Sequence, residues 1–199
     1  AKTTVVLANR LSRTVPSIAL DFGPGIAQAL SHLNALGHRR IAFLAGPRDS
    51  WSNRQRRKFL TAGCAERGIE LIELGPYEPK FTGGYRAADE ALATGVSAVL
   101  AYNDLVALGV LSRLHARGVR VPDDLSIVGF DDVPTASMVS PPLTTVAVPI
   151  PALARAASAM LLAELRAADP DAGRVAPPPR PPAPELETRL LIRSTTGPT

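Results

Sequence analysis

The order of its strand-like and helix-like segments constrains this chain more than any other sequence feature. The two patterns alternate four times between residues 24 and 130, and short loops separate them. Strands and helices in such alternation form βαβ units, which give a parallel sheet with helices on both faces. The continuous apolar runs Ile41–Ala45 and Ile127–Phe130 agree with this, because parallel strands are buried on both sides. The sequence therefore predicts an α/β fold.

The flanking segments complete the predicted order of elements. Two short β-branched strands, Thr3–Ala8 and Ser17–Asp21, precede the alternating region. A strand, a helix over 151–167 and a final strand follow it. The proline-rich segment Asp169–Glu185 is predicted to be a surface spacer, since it cannot pack as a helix or a sheet.

Composition and charge argue against several classes of function. No apolar run approaches the roughly 20 residues that span a bilayer, which predicts no membrane contact. The net charge is +4, but much of the excess lies in Asn53–Phe59, where no aromatic residues interleave with it, so a solvated helix face is favoured over a nucleic-acid surface. A single cysteine, Cys64, excludes an internal disulfide and an all-cysteine metal site.

Polar residues follow three of the predicted strands where each one ends. The run Ser126–Phe130 stops at Asp131 and Asp132, and Asn103 follows another strand. The loop and helix start Gly46–Arg56 follow a third. Ligands of open parallel sheets bind outside the carboxyl ends of the strands. Carboxylate, amide and guanidinium groups there suit the hydroxyls of a neutral sugar.

Several of these residues also have structural interpretations. Asn103 or Asp104 is expected to cap the helix that follows, and Asp132 is expected to satisfy a turn. Asp131 is therefore the strongest ligand candidate, and the pattern does not distinguish the neighbouring arginines Arg54 and Arg56. We predict no metal site, because sugar sites use the same acids without a metal.

No catalytic motif is present. The sequence has no Gly-x-Ser-x-Gly, no Walker loop and no His-Glu-x-x-His, and Gly23–Gln28 is a Gly-x-Gly-x-x-Gly pattern without its last glycine. We therefore predict a protein that is not an enzyme and has no cofactor.

Four motifs in order carry a family resemblance: LGHRRIAFLAGP, AVLAYNDLVALG, VPDDLSIVGFDD and RLLIRSTTGP. With them, the chain resembles the lactose/galactose-repressor (LacI/GalR) family of bacterial transcription regulators over essentially its whole length. The resemblance implies a periplasmic-binding-protein-like fold of two Rossmann-like subdomains with a small effector, often a sugar, in the cleft between them. It also implies a cytoplasmic homodimer that contacts operator DNA through an N-terminal helix-turn-helix.

The resemblance divides the chain into four parts. Residues 1–22 match the end of the N-terminal subdomain, and 23–147 match the C-terminal effector-binding subdomain. Residues 148–185 would return to the first subdomain, and 186–199 would add a final strand to the second. The helix-turn-helix, the hinge helix and much of the N-terminal subdomain have no counterpart, so we expect a piece of a longer regulator that does not bind operator DNA by itself.

The resemblance also implies the ligand contacts. The candidates are Asp131, Asn103, Arg56, Arg54, Asn9, Arg10, Trp51 and Phe81. Arg56 and Arg54 compete for one arginine position, and Phe81 would stack on the ligand. Trp51 would either stack on the ligand or pack at the start of its helix. The alternative interpretation is a transporter-associated periplasmic-type sugar-binding protein with the same fold, which a secretion signal would favour and an upstream helix-turn-helix would oppose.

Overall fold

A computed structural model describes residues 3–167 and 186–199 of the chain. The strands are β1 Leu7–Ala8, β2 Ser17–Ile18, β3 Arg40–Leu44, β4 Glu70–Leu74, β5 Ala98–Ala101, β6 Ser126–Asp131, β7 Thr144–Ala147 and β8 Arg189–Leu191. The α-helices are α1 Gly23–Ala35, α2 Trp51–Arg67, α3 Phe81–Ala93, α4 Asp104–Ala116 and α5 Ile150–Ala167, and a 3₁₀ helix spans Pro134–Ser137. The spacer predicted over Asp169–Glu185 lies outside the described residues.

Six strands form one sheet in the order β4-β3-β5-β6-β7-β8. Neighbouring strands are parallel from β4 to β7, and β8 pairs antiparallel with β7. All of β5 and all of β3 except Arg40 are buried, as expected for strands that helices cover on both faces. The predicted α/β fold with a parallel sheet is confirmed.

Local sequence signals set the ends of the helices. At the start of α2, the Ser50 hydroxyl accepts a hydrogen bond from the backbone N–H of Asn53 at 3.2 Å. The same helix ends at Gly68, whose φ of +62° is the left-handed conformation that glycine adopts without strain. Among the described helices, none is both long and apolar enough to cross a membrane.

Helices α3 and α4 pack against each other through glycines. A Cβ atom at Gly84 would overlap the carbonyl oxygen of Val106, and one at Gly109 would overlap the carbonyl oxygen of Phe81. The two backbones therefore approach as closely as they do only because these positions have no side chain.

The chain divides into two compact units. The larger unit, Phe22–Ala147 with Thr188–Thr199, contains the six-stranded sheet. The smaller unit, Ala1–Asp21 with Val148–Glu187, contains the parallel pair β1–β2 and helix α5, which packs on both strands. Both strands of this pair are shorter than the sequence predicted, since only two residues of each are in register.

Candidate functional site

Three neighbouring strands of the larger unit deliver polar residues to the same edge of its sheet. Strands β3, β5 and β6 lie side by side and are parallel, so their carboxyl ends meet. Helix α2 begins after β3, Asn103 follows β5, and Asp131 is the last residue of β6. The arrangement predicted from the sequence is therefore present, and the side chains decide what it can bind.

Arg56 and Asp131 form an ion pair at this edge. Arg56 Nη2 lies 3.2 Å from Asp131 Oδ1, and Arg56 Nη1 donates to the carbonyl oxygen of Tyr102. The Arg56 side chain is buried, whereas that of Asp131 is 38% exposed. One face of the Asp131 carboxylate is therefore open to a ligand while Arg56 holds the other.

Three aromatic rings enclose the Arg56 guanidinium. Its central carbon lies 3.6 Å from the ring centroid of Phe130, 4.9 Å from that of Tyr102 and 5.2 Å from that of Phe22. A cation over an aromatic face is stabilised by about 0.5–2 kcal/mol, which helps to offset the cost of burying the charge. Arg56 Nε is also buried, and it has no hydrogen-bond partner among the described residues. A buried donor without a partner is energetically costly, and this cost favours the binding of a polar ligand nearby.

The backbone at the end of β6 is strained. Asp131 has a φ of +110° and Asp132 a φ of +59°, which are backbone conformations that residues other than glycine rarely adopt. Such residues cost about 1–3 kcal/mol each and persist where the surroundings hold them. Asp132 is held by Arg193, whose Nη2 lies 2.7 Å from Asp132 Oδ1. This contact is an ion pair with a distant side chain, and the predicted contact of Asp132 with the turn backbone stays a prediction.

The Asp104 side chain contacts the same loop. This side chain is fully buried, and its Oδ2 accepts the backbone N–H of Val133 at 2.8 Å. Its Oδ1 accepts the hydroxyl of Thr145 at 2.6 Å. Asp104 therefore ties the residues after Asp131 to the neighbouring strand β7, and it acts as a positioning residue for the exposed carboxylate.

Burial changes the proton affinity of both acids. It raises the pKa of Asp104 to about 6, although the Thr145 hydroxyl and the Val133 N–H oppose the shift. It also raises the pKa of Asp131, an effect that the neighbouring Arg56 guanidinium opposes. Within residues 3–167 and 186–199, no group of three or more His, Cys, Asp or Glu side chains could hold a metal ion.

Asn103 caps helix α4. Its Oδ1 accepts the backbone N–H of Val106 at 3.0 Å, and its Nδ2 donates to the carbonyl oxygen of Pro79 at 3.3 Å. The sequence predicted either Asn103 or Asp104 as the cap of this helix, and the structure shows that the side chain of Asn103 caps it. A ligand contact by Asn103 stays a prediction that would use its remaining hydrogen-bonding capacity.

The other ligand candidates of the larger unit differ in whether they lie near Arg56. Trp51 belongs with Arg56, because its ring packs on Phe22 at a centroid distance of 6.0 Å. Arg54 does not, since it is exposed and its Nη1 donates to the carbonyl oxygen of Asp49 at 2.9 Å. Phe81 is the first residue of α3 and is 44% exposed. The structure thus pairs Arg56, not Arg54, with Asp131.

Asn9 and Arg10 belong to the smaller unit. Asn9 has a left-handed φ of +57°, and the backbone N–H of Arg10 donates to the carbonyl oxygen of Ile18 at 3.3 Å. The Arg10 side chain is exposed. Their predicted ligand contacts stay predictions.

Sequence reasoning missed the aromatic surroundings of Arg56. Each of these rings stands at or just beyond the end of a strand-like run, namely SIALDF, SAVLAY and SIVGF. That recurrence is a signal, because the carboxyl ends of parallel strands converge. It becomes informative only when a buried cation is known to lie among them.

The sequence of the chain is similar to those of known proteins. A family model described as a periplasmic binding protein-like domain matches residues 30–196. The HTH-type transcriptional regulator GalS of Salmonella typhimurium is 36% identical over 167 residues, which cover 79% of this chain and 48% of that protein. The chain spans about half the length of the curated relatives it matches.

Solved structures are similar over most of the chain. One is a LacI family transcriptional regulator from Enterococcus faecium with bound ribose, with a TM-score of 0.79 and 27% identity, covering 96% of this chain and 68% of that one. Another is a dimeric Lac repressor with a C-terminal deletion, with a TM-score of 0.78 and 29% identity, covering 92% and 65%.

Proposed function

The chain belongs to the family of periplasmic binding protein-like domains, in the LacI/GalR group, and on this basis we propose that it is the effector-binding and dimerisation region of a DNA-binding transcription regulator. The proposed effector is a sugar. The observation that carries this proposal is the Arg56–Asp131 pair, placed at the carboxyl edge of the sheet with one carboxylate face exposed.

The chemistry of this pair suits a neutral polyhydroxyl ligand. The exposed part of the Asp131 carboxylate can accept protons from hydroxyl groups, and hydrogen bonds to an ionised acceptor are roughly twice as strong as neutral ones. Because Arg56 already balances the charge of Asp131, the pair has no net charge to attract an ion. Tyr102, the partly exposed ring among the three that surround Arg56, adds apolar surface of the kind that packs on the C–H face of a sugar ring.

One of the related structures supports the same ligand class. The regulator from Enterococcus faecium holds ribose, and its fold matches this chain closely. A ligand that binds one conformation better than another shifts the population toward it. In the intact regulator, that shift would change the affinity for operator DNA by a coupling free energy of about 1–3 kcal/mol.

A screen of sugars tests the proposal. The melting temperature of the 199-residue chain, and of the full-length regulator that contains it, is measured with monosaccharides, disaccharides and nucleobases. A ligand that binds only the folded state raises this temperature. We expect a sugar to do so in wild type and in Asp123→Asn, an exposed acid in the turn before β6, but not in Asp131→Asn. An effective sugar whose stabilisation survives Asp131→Asn would contradict the assigned site, and a nucleobase as the only effective ligand would contradict the ligand class.

The dimer is the second part of the proposal. Large apolar side chains are exposed on α3, on α4 and just beyond the 3₁₀ helix: Tyr85 is 38% exposed, Leu105 43% and Met138 78%. A dimeric Lac repressor is among the similar structures. We expect Leu105→Arg to produce monomers in analytical ultracentrifugation, whereas Ile192→Arg, a change at a more exposed apolar residue after β8, should leave the dimer intact. A dimer that survives Leu105→Arg and Met138→Arg together would place the interface elsewhere.

A further inference from the structure

A pocket lies beside the proposed effector site on the larger unit. It is a pocket of about 370 Å³ at the carboxyl ends of β3 and β4, next to the first turns of α2. Its lining includes Arg48, Arg54 and Arg57, together with Asn53 and Glu73. Neither Arg56 nor Asp131 is part of it. We call it the arginine pocket.

The arginine pocket carries an excess of positive charge. Three arginines against one glutamate leave two positive charges in excess. Glu73 pairs with Arg57, whose Nε lies 2.7 Å from Glu73 Oε2, and this contact holds the Arg57 guanidinium in place. Arg48 forms no hydrogen bond or ion pair with any described residue, and Arg54 uses one donor on the carbonyl oxygen of Asp49. Several guanidinium donors are therefore free to bind an anion.

The wall of the arginine pocket contains a buried amide that is fixed in orientation. Asn53 is only 5% exposed, and its Oδ1 accepts the backbone N–H of Gly46 at 3.0 Å. This contact directs the Nδ2 group away from Gly46, and Nδ2 has no hydrogen-bond partner among the described residues. Asn53 also lies in the first turn of α2, where the helix dipole favours negative charge. An amide donor without a partner, on a side chain that is buried as a whole and lies at a helix start in a basic pocket, matches what an oxyanion needs.

The helix separates the arginine pocket from the proposed effector site. Residues two positions apart on a helix project about 200° apart around its axis. Arg54 and Arg56 are two such residues, one exposed and lining the arginine pocket, the other buried beside Asp131. The neutral pair and the basic pocket can therefore hold chemically different ligands at the same time.

We propose that the arginine pocket binds the phosphate group of a small molecule or free inorganic phosphate. Guanidinium groups form two parallel hydrogen bonds to phosphate oxygens, and two excess positive charges complement a dianion. The volume exceeds that of phosphate alone and falls within the range of roughly 300–1,000 Å³ that is usual for small-molecule sites. A carboxylate, with one charge, satisfies fewer of these donors.

Isothermal titration calorimetry tests this proposal on the 199-residue chain. Inorganic phosphate and a hexose phosphate are titrated at constant ionic strength, which sodium chloride maintains. We expect saturable binding that is at least about tenfold weaker in Arg48→Gln/Arg54→Gln. Lys58→Gln is the matched control, since Lys58 is an exposed cation on the same helix outside the pocket, and it should bind as wild type does. Tighter binding of the hexose phosphate would identify a phosphorylated small molecule as the ligand, and tighter binding of inorganic phosphate would identify the free ion.

Four results would overturn it. The first is no saturable heat up to about 10 mM phosphate, which corresponds to a binding free energy weaker than about −2.7 kcal/mol. The second is an equal loss of binding in Lys58→Gln, and the third is tighter binding of acetate than of phosphate. The fourth is binding that Asp131→Asn abolishes while Arg48→Gln/Arg54→Gln preserves it. The last result would place the anion in the effector site. Circular dichroism of each variant confirms that it is folded.

Discussion

Replacing Asp104 with asparagine should make the protein more stable at neutral pH, although it removes a charge that two hydrogen bonds satisfy. The asparagine keeps both contacts, because its Oδ1 can accept the Val133 N–H while its Nδ2 donates to the Thr145 hydroxyl oxygen. What the substitution removes is the cost of holding an ionised carboxylate in a fully buried position.

The magnitude follows from the shifted pKa. Burial raises the pKa of Asp104 to about 6, against about 3.9 for an exposed aspartate. The folded state therefore holds a proton between about pH 4 and pH 6 that the unfolded state has released, so stability falls as the pH rises through this window. At about 1.4 kcal/mol per pKa unit, the loss is about 3 kcal/mol and is fully present above pH 6.

Urea unfolding of both proteins at about pH 4.5, 5.5, 6.5 and 7.5 measures this effect. The free energy of unfolding of wild type, minus that of Asp104→Asn, should fall by about 2 kcal/mol across the series, which is the part of the loss that develops above pH 4.5. Thr145→Val removes the hydroxyl that stabilises the carboxylate, so it should move the fall to higher pH. A difference between wild type and Asp104→Asn that does not change with pH would refute the reasoning.

Three further predictions concern other buried positions. Gly84→Ala should lower the free energy of unfolding by about 1–3 kcal/mol in urea unfolding, because its methyl group would overlap the carbonyl oxygen of Val106. Burial lowers the pKa of His38, so wild type should lose stability as the pH falls below about 6.5, and His38→Gln should lessen that loss in the urea midpoint. Burial raises the pKa of the Cys64 thiol to about 11, so a disulfide-exchange reagent at about pH 8 should label it only after unfolding.

The elements of the fold could be predicted because local signals specify them. The short apolar run before Asp131, bounded by turn residues, indicated a buried strand, and Gly68 ends α2 as the sequence indicated. The antiparallel strand β8 could not be predicted in direction, because nothing in its three residues determines which way it pairs.

The contacts of the candidate site were harder to predict from the sequence, because they join segments that are far apart along the chain. Asp131 could be placed from the end of its strand alone. The choice between Arg54 and Arg56 needed the orientation of α2 on the sheet, which spacing in the sequence does not provide. Asp104 looked like a possible cap, and its actual contacts to Val133 and Thr145 depend on a loop and a strand that follow it by about 30 and 40 residues.

The most direct test of the central claim is the fluorescence of Trp51, the only tryptophan of the chain, during titration with the sugar that the screen identifies. Trp51 packs on Phe22, one of the rings around Arg56, so it reports on the proposed site itself. We predict a saturable change in wild type and a midpoint at least about tenfold higher in Asp131→Asn, as expected for a lost hydrogen bond to a charged group. The same midpoint in both proteins would contradict the assignment of Asp131 to the effector site.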